Sequence, residues 1–205
     1  MSNQVVPTKG NLISAKKSLQ LSKLGFELLD RKRNILIREM MELIDRAESI
    51  QNKIDSAYSE AYLLLQKANI ALGICKELSG TVPEEDGLSL SLKSVMGVEI
   101  PILSIKESKE HEVPFGLYSS NSDLDKAYRK FIEVKLFTVE LAEVESSVYL
   151  LADAVKKTQK RANALKNIMI PRFEGTVKFI SNALEEKERE EFSRLKVMKK
   201  IYKDR

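Results

Sequence analysis

Few side chains in this sequence could do chemistry. His111 is the only histidine and Cys75 is the only cysteine. A Ser/His/Asp site needs a histidine beside its nucleophile, and a zinc site needs several cysteine or histidine ligands. His111 lies in a polar stretch where we expect a solvated side chain, and Cys75 stands at an apolar helical position that is typical of a small core residue. Carboxylate pairs such as Glu185 and Glu188 have the helical spacing of surface ion pairs.

Motifs for nucleotide or metal chemistry are also missing from the sequence. It contains no G-x-x-x-x-G-K-[ST], no G-x-G-x-x-G and no H-E-x-x-H. We therefore predict that the chain alone is not an enzyme and has no catalytic, cofactor-binding or metal-binding residues. The single cysteine, the lack of a signal peptide and the lack of a run of about 18 apolar residues predict a cytoplasmic protein that does not span a membrane.

Two stretches without glycine or proline predict very long helices. They lie between Gly25 and Gly73 and between Gly116 and Pro171, and each far exceeds an ordinary helix of about 11–12 residues. From Leu12 to Leu78, apolar residues recur at alternating spacings of three and four over ten heptads, and 18 of the 20 positions are apolar. Such a stripe, called the seam below, predicts a coiled coil.

The second stretch has its own seam, which changes phase near Pro171. It runs through Val134, Phe137, Leu141, Val144, Val148, Leu151, Val155, Thr158, Ala162, Leu165 and Met169. The next steps, to Phe173 and Val177, are again four residues long, and this spacing unwinds a supercoil locally. Because proline lacks an N–H, we predict that the helix bends or changes register at Pro171 without ending. Gly25 would be a point of close approach beside this bend.

The segment between the helices holds most of the glycine and proline. Alternating apolar residues on both sides of Met96 and Gly97 predict a β-hairpin, with Pro101 at an edge or bulge. Ser122 or Asn121 would cap the next helix. The predicted fold is mainly α, with a first helix in 1–78, a connecting segment in 79–118 and a second helix in 119–205. The two helices would form an antiparallel coiled-coil hairpin that carries the short β-hairpin in its connection.

Charge is distributed unevenly along the chain. Residues 1–40 carry a net charge of +5, residues 41–155 carry −9 and residues 156–205 carry +8. In an antiparallel hairpin both termini share one end, so that end would be basic and would suit an acidic partner. Nucleic acid is not expected, because acidic residues alternate with the basic ones in 184–200 and would repel phosphates. A solvated helix surface remains the simpler alternative.

Six segments of the sequence carry a resemblance to a known family, and they are PTKGNL (7–12), GFELLDRKRNIL (25–36), VMGVEIP (95–101), SNSDLDKAY (120–128), LAEVE (141–145) and KRANALKNIMIPRFEGTVKFISNALEEKEREEFSRLKVMKK (160–200). Together they resemble the D subunit of the V-type/A-type rotary ATPases. They cover nearly the whole chain in the right order, and the last segment is the most specific. Lys166 departs from the family pattern, which has an acidic residue at that position.

The resemblance implies a rotor subunit, the axle of a central stalk that transmits torque between an ATP-hydrolysing or ATP-synthesising head and a membrane ion-translocating ring. The implied partners are the small F subunit, the hexameric head of catalytic and non-catalytic subunits, and the stalk subunit that caps the ring. The protein would be cytoplasmic and peripheral to the membrane, which it would meet only through the complex.

Two sets of interface residues follow from combining the resemblance with the sequence pattern. The basic end would face acidic loops of the head through Lys9, Lys16, Lys17, Arg189, Arg194 and Lys196. Apolar residues outside the seam would bind the F subunit, or would only shield the flanks of the seam; they are Tyr62, Leu63, Ile70, Ile132, Leu136 and Leu150.

Two other readings of the sequence stay open. A free-standing coiled-coil scaffold or adaptor would have the same seams without rotary partners. A membrane-tethering rod would need a basic face along its whole length, whereas the basic charge is concentrated at one end.

Overall fold

The computed structural model describes residues 6–73, 78, 80–82, 84, 86–105, 115–116 and 120–203. Its elements are helix α1 (Lys9–Leu72), strands β1 (Leu88–Val95) and β2 (Val98–Ile105), helix α2 (Ser122–Ala164), a π-helical turn (Leu165–Met169) and helix α3 (Ile170–Lys203). The prediction of a mainly α fold with two long helices and an intervening β-hairpin is confirmed. Cys75 and His111 lie outside the described residues, so their predicted roles stay predictions.

Helix α1 begins and ends at local signals in its sequence. The backbone N–H of Asn11 donates to Thr8 Oγ1 at 3.2 Å, so Thr8 caps the first turn. At the other end Gly73 adopts φ +84°, a left-handed conformation that commonly terminates helices. Every buried residue of α1 belongs to the predicted seam, and these are Leu36, Ile50, Ile54, Ala57, Ala61 and Ala68.

Helix α2 starts at the predicted cap and buries the predicted seam. The side chain of Asn121 accepts a hydrogen bond from the Asp123 backbone N–H at 3.0 Å, which makes Asn121 the cap instead of Ser122. Val144 packs with Ile50 and Ile54 of α1 in one core cluster. The buried residues of α2 also include some that were not predicted for the seam, namely Leu124, Ala127 and Ser147.

The chain divides into two compact units, and both contain part of α1 paired with a later helix. The terminal unit comprises 1–34 and 156–205, and the central unit comprises 35–155. In the terminal unit, Lys23 Nζ lies 2.7 Å from a carboxylate oxygen of Glu174. In the central unit, Lys130 Nζ lies 3.0 Å from Glu60. In the terminal unit Lys9, at the start of α1, meets Glu188, and in the central unit Arg46 meets Glu140. In both units the residue number of the partner falls as the residue number in α1 rises, so the pairing is antiparallel.

The β-hairpin has a register that explains its turn and its proline. Strands β1 and β2 are antiparallel and pair Val95 with Val98 across a two-residue turn. Met96 and Gly97 both have positive φ, 52° and 77°, as a type I′ turn requires. Pro101 stands opposite Leu92. Counting from the turn, this is a non-hydrogen-bonded pair, so the missing N–H of Pro101 removes no bond from the ladder.

Candidate interaction surfaces

The two units carry opposite net charge. The terminal unit has 22 basic and 9 acidic side chains, whereas the central unit has 12 basic and 21 acidic ones. The net charges are therefore +13 and −9. A charge of this size on one compact unit produces a field that attracts acidic surfaces and is weakened by salt.

The basic residues predicted for the head interface are all exposed on the terminal unit. Some have acidic neighbours on their own chain: Lys9 Nζ lies 3.3 Å from Glu188, and Arg194 lies 3.8 Å from Glu190. Arg189 similarly lies 4.0 Å from Glu185. Such exposed pairs contribute about 0–1 kcal/mol each and can be exchanged for a partner's carboxylate at little cost. Lys16, Lys17 and Lys196 are exposed and make no ion pair within the described residues.

The last part of α3 exposes apolar side chains together with its charges. Every residue from 185 to 203 is exposed, and α1 begins only at Lys9, which meets Glu188. The exposed apolar residues here are Phe192, Leu195, Val197, Met198, Ile201 and Tyr202. The prediction from the sequence named only the charges at this end. The helical spacing of Leu195, Met198 and Tyr202 was the signal that could have added them.

The seam changes register through a π turn located just before Pro171. The Ile170 N–H donates to the carbonyl of Leu165, five residues earlier. A π turn inserts an extra residue into the helix, which agrees with the four-residue steps of the seam. Pro171 is exposed and is the second residue of α3, so the helix continues through it. Whether the helix axis bends at Gly25 and Pro171 stays a prediction.

Helix α1 presents Gly25 and Phe26 to this π turn. A Cβ placed on Gly25 would lie 3.6 Å from Leu165 Cδ1, an ordinary van der Waals contact. Lys166 Nζ lies 5.7 Å from the centre of the Phe26 ring, within range of a cation–π interaction. Lys166 therefore has an aromatic partner on α1.

A polar cluster interrupts the seam at Arg33. The guanidinium donates to Gln159 Oε1 at 2.8 Å across the helix pair and contacts Asp30 at 2.7 Å on its own helix. Its other partner is Asn34 Oδ1, at 3.0 Å. A single polar residue at a seam position favours one register over its alternatives, because a shifted register would bury the charge without these partners.

The residues predicted to bind the F subunit lie on both helices of the central unit. Tyr62, Leu63, Ile70, Leu136 and Leu150 are exposed, whereas Ile132 is half-buried. The predicted face is thus largely open to solvent and suits a partner. Its assignment to the F subunit stays a prediction.

Tyr62 is held in place by aromatic neighbours within this face. Its ring stacks on Tyr58, with centroids 5.9 Å apart, and meets the ring of Phe131 edge-on at 5.5 Å. Lys130 next to Phe131 pairs with Glu60 and Glu133, and these hydrogen bonds raise the pKa of Lys130 above its ordinary value. The face therefore has a fixed aromatic part beside long, charged side chains.

A carboxylate on α2 anchors the β-hairpin. The backbone N–H of Leu103 in β2 donates to Glu143 Oε2 at 2.7 Å. Glu143 lies seven residues from both Leu136 and Leu150, so the β-hairpin is attached on the same stripe of α2 as these predicted interface residues. One turn earlier, Glu140 pairs with Arg46 of α1 and raises the pKa of that guanidinium. The sequence prediction missed this anchor.

The connecting segment contributes a further packed residue. Phe115 is buried beside Ala68 and Leu124, and its ring meets the Tyr128 ring edge-on at 5.6 Å. This cluster covers the seam near the end of α1. Phe115 belongs to no repeating apolar pattern in the sequence, so the contact could not have been predicted from periodicity.

Comparison with known proteins shows the family. A model of the family of ATP synthase D subunits matches residues 11–200. The chain is 45% identical over 197 residues to the D subunit of a V-type ATP synthase of Thermotoga neapolitana, covering 95% of this chain and 97% of the relative. It is 38% identical to the D subunit of an A-type ATP synthase of Methanobrevibacter smithii, covering 94% and 85%.

The match extends to the D subunit of a further A-type ATP synthase, from Pyrococcus horikoshii, at 35% identity over 98% of this chain and 96% of that protein. The chain therefore belongs to the family of ATP synthase D subunits, and the family predicted from the sequence is confirmed. The family assignment also confirms two further predictions: the chain is one component of a multi-subunit V-type/A-type ATPase complex, and it is not itself an enzyme.

Two structural findings accompany this assignment. Within the described residues, no helix is long and apolar enough to cross a membrane. The same part of the chain contains no group of three or more histidine, cysteine, aspartate or glutamate side chains that could hold a metal ion.

Proposed function

We propose that this chain is the axle of the central stalk of a V-type/A-type ATPase, which transmits torque between the head and the membrane ring. The observation that carries the proposal is the family match over residues 11–200, which includes both long helices, the β-hairpin and the π turn. A continuous helix pair suits this role, because packed seams resist twisting better than a single helix does.

An axle must also be asymmetric in order to act on equivalent sites of the head. It can bias one site over another only if it makes different contacts with each. The π turn and Pro171 supply one such difference, because they change the register of the second helix while α1 continues without interruption. The side chains that follow Pro171 are thereby presented at a different angle from those before it.

The basic terminal unit would engage acidic loops of the head. Lys16 and Lys17 are the best probes, because both are exposed and have no ion pair within the described residues. We expect a Lys16→Gln, Lys17→Gln double variant to weaken assembly with the head and to reduce its dependence on salt. The matched control is Lys53→Gln, Lys67→Gln, which removes equal charge from exposed positions of α1 in the central unit.

Both double variants would be assembled with the head over a series of salt concentrations. If the two affect assembly equally, or if neither does, the basic unit does not engage the head electrostatically. The same design extends to the predicted head residues Lys9, Arg189, Arg194 and Lys196, of which the first three would have to exchange their own ion pairs.

The F subunit would bind the open face of the central unit. We expect Ile132→Asp, Leu136→Asp to abolish this binding, because a charge buried in an apolar interface costs several kcal/mol or about 1,000-fold in affinity. The control Leu21→Asp, Leu28→Asp places the same charges on exposed apolar positions of the terminal unit. Circular dichroism must show that both variants stay helical, and retained binding of the F subunit by the Ile132, Leu136 variant would refute the site.

The stalk subunit that caps the ring would complete the connection, and the chain would meet the membrane only through it. A tagged copy of this chain, purified from its own cells in mild detergent, tests the whole set of partners. We expect a fixed stoichiometry with a small F-type subunit, the head subunits and a ring-capping subunit. Recovery of the chain alone would favour the scaffold alternative.

A further inference from the structure

The two strands of the β-hairpin differ in how well their outer edges are protected from pairing with a further strand. On β2, Pro101 has no N–H to offer and the N–H of Leu103 is taken by Glu143. Proline and capped donors are the devices by which proteins keep an edge strand from pairing with another chain. Within the part of the chain that the structure describes, no side chain accepts a hydrogen bond from an N–H group of β1. Strand β1 itself contains no proline, and Lys93 is its only charged residue.

The register defines which main-chain groups of β1 point away from β2. With Val95 and Val98 as the hydrogen-bonded pair beside the turn, every second pair is non-hydrogen-bonded, so Leu92 and Leu90 direct their N–H and C=O groups outwards. The bond from Leu103 N–H to Glu143 supports this assignment, because Leu103 is the partner of Leu90 and also points outwards. Leu88 and Ser94 share the outward orientation.

The outward-pointing residues of β1 also present apolar side chains. Leu88, Leu90 and Leu92 are 52%, 65% and 63% exposed. Across the ladder they stand beside Ile105, Leu103 and Pro101, so these six apolar residues form most of one face of the sheet. The same face ends beside the turn with the polar pair Ser94 and Glu99. Apolar side chains next to an open strand edge lose contact with water when a further strand is added.

We propose that the open edge of β1 receives a β-strand from another subunit of the ATPase complex, extending the β-hairpin to three strands. The edge predicts the sequence of the incoming strand. Every second residue of that strand should be apolar, so that it covers the exposed leucines of β1, and an acidic residue should stand opposite Lys93 on the other face. The inference rests on membership of the complex and on the β-hairpin, and it does not depend on the axle proposal.

Hydrogen exchange of the chain, alone and in the purified complex, tests the strand addition. Alone, the N–H groups of Leu90 and Leu92 should exchange rapidly, whereas that of Ser91, which bonds across the ladder, should be protected. In the complex, Leu90 and Leu92 should become at least about tenfold slower. Unchanged exchange in a complex that retains this chain would overturn the proposal and leave the axle proposal intact.

Two substitutions at one position separate main-chain pairing from side-chain contact. Leu90→Pro removes the outward N–H without removing a ladder bond, as Pro101 already does on β2, whereas Leu90→Ala keeps the N–H and removes most of the apolar side chain. We expect Leu90→Pro to release the chain from the complex about two- to tenfold faster than Leu90→Ala does. Ser91 protection in the free variants verifies that the β-hairpin is intact.

Equal release rates for the two variants would mean that the leucine face binds without strand pairing, and the proposal would fail. A second copy of this chain is the other possible occupant. If the outward N–H groups of the free chain gain protection as its concentration rises, and light scattering detects a dimer, the edge pairs with itself and the proposal of a different partner is overturned.

Discussion

Replacing Gly25 by alanine tests the packing of α1 against the π turn. Glycine in a helix interior costs about 1 kcal/mol relative to alanine. The new Cβ would lie 3.6 Å from Leu165 Cδ1, which is a normal contact distance and requires no movement. A single contact of this kind adds only about 0.1–0.2 kcal/mol. We therefore expect Gly25→Ala to stabilise the protein by about 1 kcal/mol, or about 2–4 °C in Tm.

Gly175→Ala is the matched control for this experiment. Gly175 also lies inside a helix, and a Cβ there would meet nothing within 4 Å, so the substitution reports helix propensity alone. Urea unfolding followed by circular dichroism would compare both variants with the parent chain, and the two should be stabilised about equally. Gly25→Leu should instead lose about 1–3 kcal/mol, because the larger side chain would be forced against Leu165.

The reasoning is refuted if Gly25→Ala destabilises the protein while Gly175→Ala stabilises it. That result would mean that the two helices approach more closely at Gly25 than the 3.6 Å contact indicates. If Gly25→Leu kept the full stability of the parent chain, the helix pair would have room for a large side chain there, and Gly25 would not be a point of close approach.

Three further changes test separate parts of the fold. Met96→Asn should stabilise the β-hairpin by about 1 kcal/mol, because asparagine tolerates the φ of +52° there, and slower hydrogen exchange of the Ser91 amide would detect it. Glu143→Gln should make the Leu103 amide exchange about five times faster, since a charge-assisted bond becomes a neutral one; an unchanged rate would exclude an anchoring role. Ile180→Ala should cost about 2–5 kcal/mol in urea unfolding because Ile180 is fully buried, whereas Phe179→Ala, at a 58% exposed site, should stay within about 1 kcal/mol.

The repeating pattern predicted most of the fold. Seam positions such as Leu36, Ile54 and Leu151 are fully or nearly fully buried, because a two-helix coil can cover only one stripe of each helix. The change of seam spacing at Leu165 and Met169 also marked the site of the π turn, since an inserted residue alters spacing in a way the sequence displays.

Contacts that depend on a single pair of residues could not be predicted. The bond between Glu143 and the Leu103 N–H joins residues 40 positions apart, and neither belongs to a repeating pattern that relates them. Phe115 is similar, because no repeating pattern in the sequence relates it to Ala68 and Leu124, the residues with which it packs. The interface residues were chosen by exposure and charge, which identify a surface that can bind but do not identify its partner.

Single-molecule rotation measures the central claim most directly. The head of the complex would be fixed to a surface and a bead attached to the β-hairpin of this chain. If the chain is the axle, the bead should turn in one direction when ATP is supplied and stop when ATP is withdrawn. A complex that hydrolyses ATP while the bead on this chain stays fixed relative to the head would contradict the account.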